Sequence, residues 1–312
     1  MAEMISMRVA YGKALEKLGG ARGDVVVLSA DVSNSDHSYM FAEKYPQRFF
    51  NVGIAEQSLV DVAVGLAYTG FVPFANTFAF LFATRALEMV RTHLCYGRAN
   101  VKLMAAYGGL SDSFDGPTHH SISDLAIMRS MPNMTVVVPS DPIAVAKFIH
   151  LAAEWEGPLF LRLSRNEVPV LFDDSYAPRI GKAMTHRKGK DVALIGCGIM
   201  VGRCLQAADE LAGEGIKARV IEMHTIKPLD LECIQQAAEE TGAIVTAEEH
   251  SVIGGLGGAV AEVAGELRPV PIKRVGVADR FAETGPYDLL LDGYGMAVAD
   301  IVSAAKKAVE AK

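Results

Sequence analysis

The chain has 312 residues, half of them hydrophobic and 21% charged, which supplies ample core material and excludes global disorder. Its 29 Gly and 13 Pro are ordinary counts and exclude collagen-like or low-complexity classes. The formal net charge is −7, from 37 acidic and 30 basic residues, so a general nucleic-acid coat is excluded and any anionic ligand must meet a local basic site.

In chain order, helical and strand patterns alternate. Residues 1–10 (MAEMISMRVA) show no basic region followed by an apolar stretch, so no signal peptide is expected. Residues 6–18 have helical spacing, with Val9, Ala10, Ala14, Leu15 and Leu18 apolar, and Gly19-Gly20 is expected to stop that helix. Residues 25–29 (VVVLS) read as a fully buried strand, 51–68 as a helix, 71–75 as a strand, 81–96 as a helix and 101–106 as a strand. Next come a strand at 136–138, a helix at 142–154 with Pro142 near its start, and a strand at 159–163. The most apolar segment, 70–84, is too short to span a bilayer and contains Pro73 and Asn76. Strands separated by helices predict an α/β fold with mostly parallel sheets covered on both faces.

Between 164 and 190 the pattern dissolves into Pro169, Asp173, Asp174, Pro178, Gly181 and Gly189, with a solvated Arg187-Lys188-Gly189-Lys190 run. The predicted organisation is therefore one domain over 1–166, a linker over 167–190 and a second domain over 191–312. The second series reads strand 192–195, helix 201–212, strand 218–222, helix 229–241, strand 243–247, helix 257–267, strand 272–277 and a last helix from Gly295. The four cysteines, at 95, 197, 204 and 233, form no C-x-x-C and read as reduced thiols of a cytoplasmic protein.

Four sets of residues could carry chemistry. Glu56 lies in Asn51-Val52-Gly53-Ile54-Ala55-Glu56-Gln57 and, on a helix, would share a face with Val52, Leu59, Val60 and Ala63. An acid on so apolar a helix is desolvated, so its pKa should rise toward the range of a proton-sharing group. Alternatively it is a first-turn Glu favoured by the helix dipole. Asp115-Gly116-Pro117-Thr118-His119-His120-Ser121 follows a strand, and a stiff Gly-Pro turn there would hold Asp115 and His119 where open α/β sheets bind ligands. Equally, the two could cap the turn and the next helix. Arg8, Ser33, Ser35 and Ser164-Arg165-Asn166 could hold a phosphate, or be surface residues. Phe74, Phe78, Phe80 and Phe82 read as core, though one could stack on a flat heterocycle. Gly196-x-Gly198 resembles a dinucleotide fingerprint, but its third Gly falls at 202 and nucleotide binding is not expected. Gly254 to Gly258 permits close packing or a helix N-terminus on an anion.

Taken together these segments resemble the transketolase family along essentially the whole chain. The most specific are Phe50-Asn51-Val52-Gly53-Ile54-Ala55-Glu56-Gln57 and Asp115-Gly116-Pro117-Thr118-His119. Arg129-Ser130-Met131-Pro132-Asn133-Met134 and Leu163-Ser164-Arg165-Asn166 follow in order. The resemblance is to the pyrimidine-binding and C-terminal domains, and it implies a thiamine-diphosphate enzyme that transfers a two-carbon ketol unit. It implies that Glu56 is the acid beside N1′ of the aminopyrimidine, that Phe82 or Phe78 stacks on that ring, and that Asp31 is an acidic neighbour of the cofactor. Asp115 and His119 would contact ketose hydroxyls, with His119 also catalytic. Arg8, Ser35 and Arg165 would hold a terminal phosphate. Tyr107 stands eight residues before Asp115, where many members carry a phosphate-contacting His. That departure implies an altered site and a less common sugar, such as apulose 4-phosphate. No metal ligands are expected in this chain.

The family's G-D-G motif for diphosphate and magnesium is absent, since Gly23-Asp24-Val25 lacks the second Gly. The resemblance is therefore to the C-terminal subunit of a split transketolase. The expected partner is an N-terminal subunit that binds most of the Mg²⁺ and diphosphate, in a 2+2 heterotetramer joined through the pyrimidine domain. The alternatives are a β subunit of a 2-oxoacid dehydrogenase E1 component and a non-catalytic assembly subunit; the deoxyxylulose-phosphate synthase branch shares the Asp115–His119 motif but is usually a single long chain.

Overall fold

The computed structural model describes residues 3–312; Met1 and Ala2, the start of the stretch read for a signal peptide, lie outside the described residues. In chain order the strands are β1 (Met4–Ser6), β2 (Val25–Ser29), β3 (Phe49–Asn51), β4 (Val72–Phe78), β5 (Lys102–Ala106), β6 (Thr135–Val137) and β7 (Leu159–Arg162). They continue as β8 (Glu167–Pro169), β9 (Met184–Arg187), β10 (Val192–Gly196), β11 (Ala218–Glu222), β12 (Thr225–Lys227), β13 (Ile244–Ser251) and β14 (Ile272–Val277). The first large sheet has the order β12-β6-β7-β5-β4-β2-β3 and is parallel except for β12. The second is β14-β13-β10-β11-β9, parallel except for β9.

Alternation explains why β2 is hydrophobic throughout. Val25 and Val27 face one apolar cluster, with Leu15, Phe41 and Phe148, while Val26 and Leu28 face another, with Leu59, Phe82 and Leu103. The second of these clusters runs on into Ile195, Ile221, Ile234 and Val260, so the two halves of the chain share one core.

The stretch read as a linker, 167–190, is not without regular structure. This stretch contains β8, which pairs with β1, and β9, an edge strand of the second sheet. Their three- and four-residue lengths left too little periodicity to read. β12 was also missed, and it carries the C-terminal half onto the edge of the first sheet beside β6.

Several element bounds differ for local reasons. The first helix runs over Met7–Ala21, capped by the Ser6 side chain, and passes through Gly19-Gly20 instead of stopping there. Gly19 serves close approach: a Cβ would lie 2.4 Å from Phe41 Cε2 and 2.7 Å from Tyr45 Cε2. Gly19→Ala should therefore destabilise the fold by about 1 kcal/mol or more, because overpacking outweighs the roughly 0.5–1 kcal/mol helix advantage of Ala. Urea unfolding checks this, and a stabilised variant would refute the packing argument.

The helix expected at 51–68 begins only at Glu56, as Glu56–Tyr68, because 49–51 form β3 and Gly53 turns the chain with φ +76°. Val52 thus lies outside the helix and shares no face with Glu56. The helix expected at 81–96 is broken into Ala79–Ala83, Leu87–Met89 and a π-helical Val90–Tyr96. The helix over Pro142–Glu154 forms as expected, its start capped by Asp141 Oδ1 accepting from Ala144 N at 2.7 Å. The last helix is Val298–Glu310, preceded by an unexpected Tyr287–Gly293. The glycine-rich 254–258 segment opens the Leu256–Leu267 helix, and its N-terminus is filled by the chain's own Glu248, which accepts from Leu256 N and Gly257 N at 2.7 and 2.8 Å. Among the described residues no helix is long and apolar enough to cross a membrane.

Candidate active site

In a parallel sheet the strands deliver their carboxyl ends to one edge, where ligands bind. Here that edge carries Asp31 and Ser35 after β2, Glu56 after β3, Phe78 at the end of β4, Tyr107 after β5 and Arg165 after β7.

Glu56 is the first residue of its helix and is 1% exposed. It is not alone: Arg85 Nη1 donates to its Oε2 at 2.9 Å and lies 3.2 Å from Oε1. The break after Ala83 places the exposed Arg85 there, and helical periodicity over 81–96 could not show it. Asp31 has φ +64° and accepts from Asn51 Nδ2 at 2.8 Å, while its N–H donates to Asn51 Oδ1 at 3.2 Å.

A second group is one contact cluster. Arg8 Nε donates to Arg165 O at 2.8 Å, and its Nη1 donates to Ser35 O at 2.5 Å and lies 3.1 Å from the Tyr107 hydroxyl. Both guanidinium carbons stack on the Tyr107 ring, Arg8 at 5.4 Å and Arg165 at 4.9 Å from its centroid. Phe78 also stacks on Tyr107, with ring centroids 4.4 Å apart. The structure thus brings together Arg8, Ser35, Tyr107 and Arg165, expected at the phosphate, and Phe78, expected at the cofactor ring.

His119 stands edge-on to Phe80 at 5.1 Å and to Phe78 at 6.4 Å, with Nδ1 3.0 Å from Thr118 Oγ1. Asp115 is half exposed, 3.6 Å from Arg165 Nη1. Phe82, preferred from the sequence as the stacking ring, lies away from the accessible surface. Phe82 is fully buried and packs edge-on to Phe160 at 6.5 Å, which leaves no face for a heterocycle. Phe78 and Phe80 are the partly accessible rings of this segment.

Two polar residues of the site, Asp112 and His120, were not singled out from the sequence. Asp112 is fully buried and paired with Arg165. Burial pushes its carboxyl up to about 6, Asp115 adds to the rise, and Arg165 opposes it. His120 is buried with both ring nitrogens unpartnered, and burial holds its imidazole below the usual range. Ser164 Oγ, at the end of β7, is likewise buried and unpartnered. Adjacency to Asp115 and His119 was the only signal for Asp112 and His120, whereas Ser164 was already among the candidates. Because Asp112 titrates higher when folded than its ordinary 3.8, it stabilises the fold most below that value. That contribution is lost as pH rises through about 6. Wild type should therefore lose stability relative to Asp112→Asn between those two values, and parallel urea-unfolding curves across that window would contradict the assignment.

The edge thus holds a buried carboxylate, accessible aromatic rings, unsatisfied buried polar groups and a paired-arginine corner. Among the described residues no group of three His, Cys, Asp or Glu is placed to hold a metal ion. This donor set suits a flat ring together with an anionic polyol.

The class this defines is an α/β chain that supplies part of a cofactor site. Residues 3–170 match the family model "Transketolase, pyrimidine binding domain", and 181–301 match "Transketolase, C-terminal domain". The chain belongs to the transketolase family, whose members use thiamine diphosphate and a divalent metal. It is similar to a 6-deoxy-6-sulfo-D-fructose transketolase subunit of Clostridium sp., 40% identical over 92% of this chain and 89% of that one. It is also similar to an apulose-4-phosphate transketolase subunit of Phocaeicola vulgatus, 37% identical over 94% of both. A solved split-gene transketolase, described as an inactive β4 tetramer, superposes with a TM-score of 0.93 at 47% identity over 99% of each chain. The chain is thus of the type of a C-terminal subunit of a split, thiamine-diphosphate-dependent transketolase.

Proposed function

We propose that this chain, with an N-terminal partner, transfers a two-carbon ketol unit from a ketose with an anionic terminus to an aldose acceptor. The observation that carries the substrate side is the corner of Arg8, Arg165, Ser35 and Tyr107, beside Asp115 and His119 on one strand-end edge. Guanidinium groups fork onto tetrahedral anions, and the carboxylate and imidazole suit sugar hydroxyls. Phosphate and sulfonate both fit this corner, in keeping with the apulose-4-phosphate and sulfofructose names of two relatives.

Thiamine diphosphate, when bound, supplies the thiazolium C2 that stabilises charge on the transferred unit. Glu56 holds a proton at pyrimidine N1′, in a setting from which water is excluded. Arg85 orients the Glu56 carboxylate, and Phe80 or Phe78 offers a face to the ring. Asp31 borders this part of the edge through Asn51. His119 and Asp115 orient the sugar, and His119 moves protons at its hydroxyls.

In this reading 1–166 is the pyrimidine-binding part, 167–190 joins it to 191–312, and the partner binds the Mg²⁺ and diphosphate. Exposed Ile54, Val62, Tyr68 and Tyr96 support self-association of two such chains within a 2+2 heterotetramer, because obligate interfaces are large and apolar. The four unpaired cysteines support a cytoplasmic setting.

The test is reconstitution with a partner that carries the G-D-G motif. The panel is D-xylulose 5-phosphate, D-fructose 6-phosphate, apulose 4-phosphate, 6-deoxy-6-sulfo-D-fructose and pyruvate. Two-carbon transfer from a ketose is expected. Decarboxylation of pyruvate alone would favour the 2-oxoacid dehydrogenase reading, and no turnover of any donor would favour an assembly role.

A further inference from the structure

The loop that bears Asp115 and His119 is held from the C-terminal half of the chain. Its feet are joined to each other: Gly109 N donates to Ser121 O at 3.0 Å and Ser121 N to Gly109 O at 2.8 Å. From β13, the buried Glu249 reaches across and accepts the Leu110 N–H through Oε1 at 2.7 Å. Arg162, at the end of β7 and also buried, donates through Nη2 to Glu249 O at 2.7 Å and to Ser121 O at 3.3 Å. Its Nε lies 2.9 Å from Oδ2 of Asp124, the first residue of the helix that follows the loop. Two more backbone bonds cross between the halves, Ser251 N to Ile122 O at 2.9 Å and Gly285 N to Ser113 O at 3.1 Å.

The fit leaves no slack. Gly109 has φ +64°, and a Cβ there would lie 2.3 Å from Glu249 Cδ. Gly116, one residue past Asp115, has φ +79°, and a Cβ there would lie 2.3 Å from Thr284 Oγ1. Burying a carboxylate and a guanidinium is costly, and apolar residues of the same volume fill a core as well or better. An apolar residue at 249 would, however, leave the Leu110 N–H buried without a partner, and it could not fix the height of the loop's foot.

We propose that Glu249 is a positioning residue for the transfer reaction: from the C-terminal half it pins Leu110 and so sets where Asp115 and His119 stand against the sugar. The proposal rests on the functional reading above for its consequence, and on the geometry of Glu249, Leu110 and Arg162 for its cause. It gives the C-terminal half a part in the sugar steps although that half carries none of the residues assigned to the sugar or the cofactor.

Hydrogen exchange by mass spectrometry on the full chain tests the cause. Glu249→Ala should speed exchange over 109–121 by about tenfold or more, the scale of one lost hydrogen bond to a charged acceptor, with β2 and β10 within about twofold of wild type. Glu249→Gln should keep wild-type protection, because the amide oxygen still accepts from Leu110. The consequence is read in the reconstituted enzyme with the best ketose of the panel. There Glu249→Ala should lower kcat/KM by about tenfold or more while hydrogen–deuterium exchange at thiazolium C2 stays near wild type, and Glu249→Gln should restore the rate. Unchanged exchange over 109–121 in the Ala variant would overturn the proposal, as would equal loosening of both halves in both variants, or loop loosening with no change in ketose turnover. A wild-type enzyme that turns over no ketose would instead overturn the functional reading, and the loop exchange would still decide the pin.

Discussion

Purified alone, this chain should neither bind thiamine diphosphate tightly nor turn over ketoses. The cofactor's diphosphate is held through a hard divalent metal, which needs several oxygen ligands. The sequence lacks the G-D-G motif that supplies them in the family, and the strand-end edge offers the buried carboxyls of Glu56 and Asp112, each paired with an arginine, and aromatic rings instead. The pyrimidine end by itself supplies too few contacts for tight binding, since the best small ligands rarely exceed about 1.5 kcal/mol per heavy atom and most fall far below. Calorimetry on the isolated chain should therefore show no magnesium-dependent binding in the micromolar range, and activity assays should read background. The solved relative is itself described as an inactive β4 tetramer. Co-purification with the partner should restore both properties together, and light scattering should give the mass of two copies of each chain.

In the assembled enzyme, Glu56→Gln should cut turnover by about 10²–10⁴-fold, the usual scale of a lost general acid–base contribution. The substitution keeps the shape and a hydrogen-bonding oxygen for Arg85, so the fold should survive, which circular dichroism and an unchanged unfolding midpoint would confirm. It removes the proton that the pyrimidine N1′ shares. A bland first-turn glutamate, valued only for the helix dipole, would lose no more than about 1 kcal/mol of stability and no chemistry. Glu56 is 1% exposed and paired with Arg85, so the unfolding midpoint has to be read beside the turnover.

The sequence made some of this legible and hid the rest for physical reasons. β2 could be read from VVVLS because a strand buried on both faces must be apolar throughout. The Pro142–Glu154 helix could be read because a cap, a proline and an apolar stripe agree. The start of the Glu56 helix could not, because Val52 continues the apolar spacing while Gly53 turns the backbone to φ +76°. Gly19-Gly20 looked like a stop and is a contact, a distinction that lies in Phe41 and Tyr45, more than twenty residues away. Phe82 and Phe80 differ in nothing local, and only the neighbouring Phe160 shows which ring the core has taken. Asp112, Arg85 and Glu249 act through partners remote in sequence, and no periodicity marks them. The motif around Asp115 and His119 was legible because a stiff Gly-Pro turn writes loop geometry into the sequence itself.

If Glu56 serves the cofactor ring and His119 the sugar, substitutions at the two positions should slow different steps. The measurement that tests this most directly is hydrogen–deuterium exchange at the thiazolium C2, followed by NMR in the assembled complex for wild type, Glu56→Gln and His119→Ala. Glu56→Gln should slow this exchange by about 10²-fold or more. His119→Ala should leave exchange near wild type while raising KM or slowing the sugar steps. Exchange unchanged in Glu56→Gln would contradict the assignment and return Glu56 to the role of a helix-terminal carboxylate.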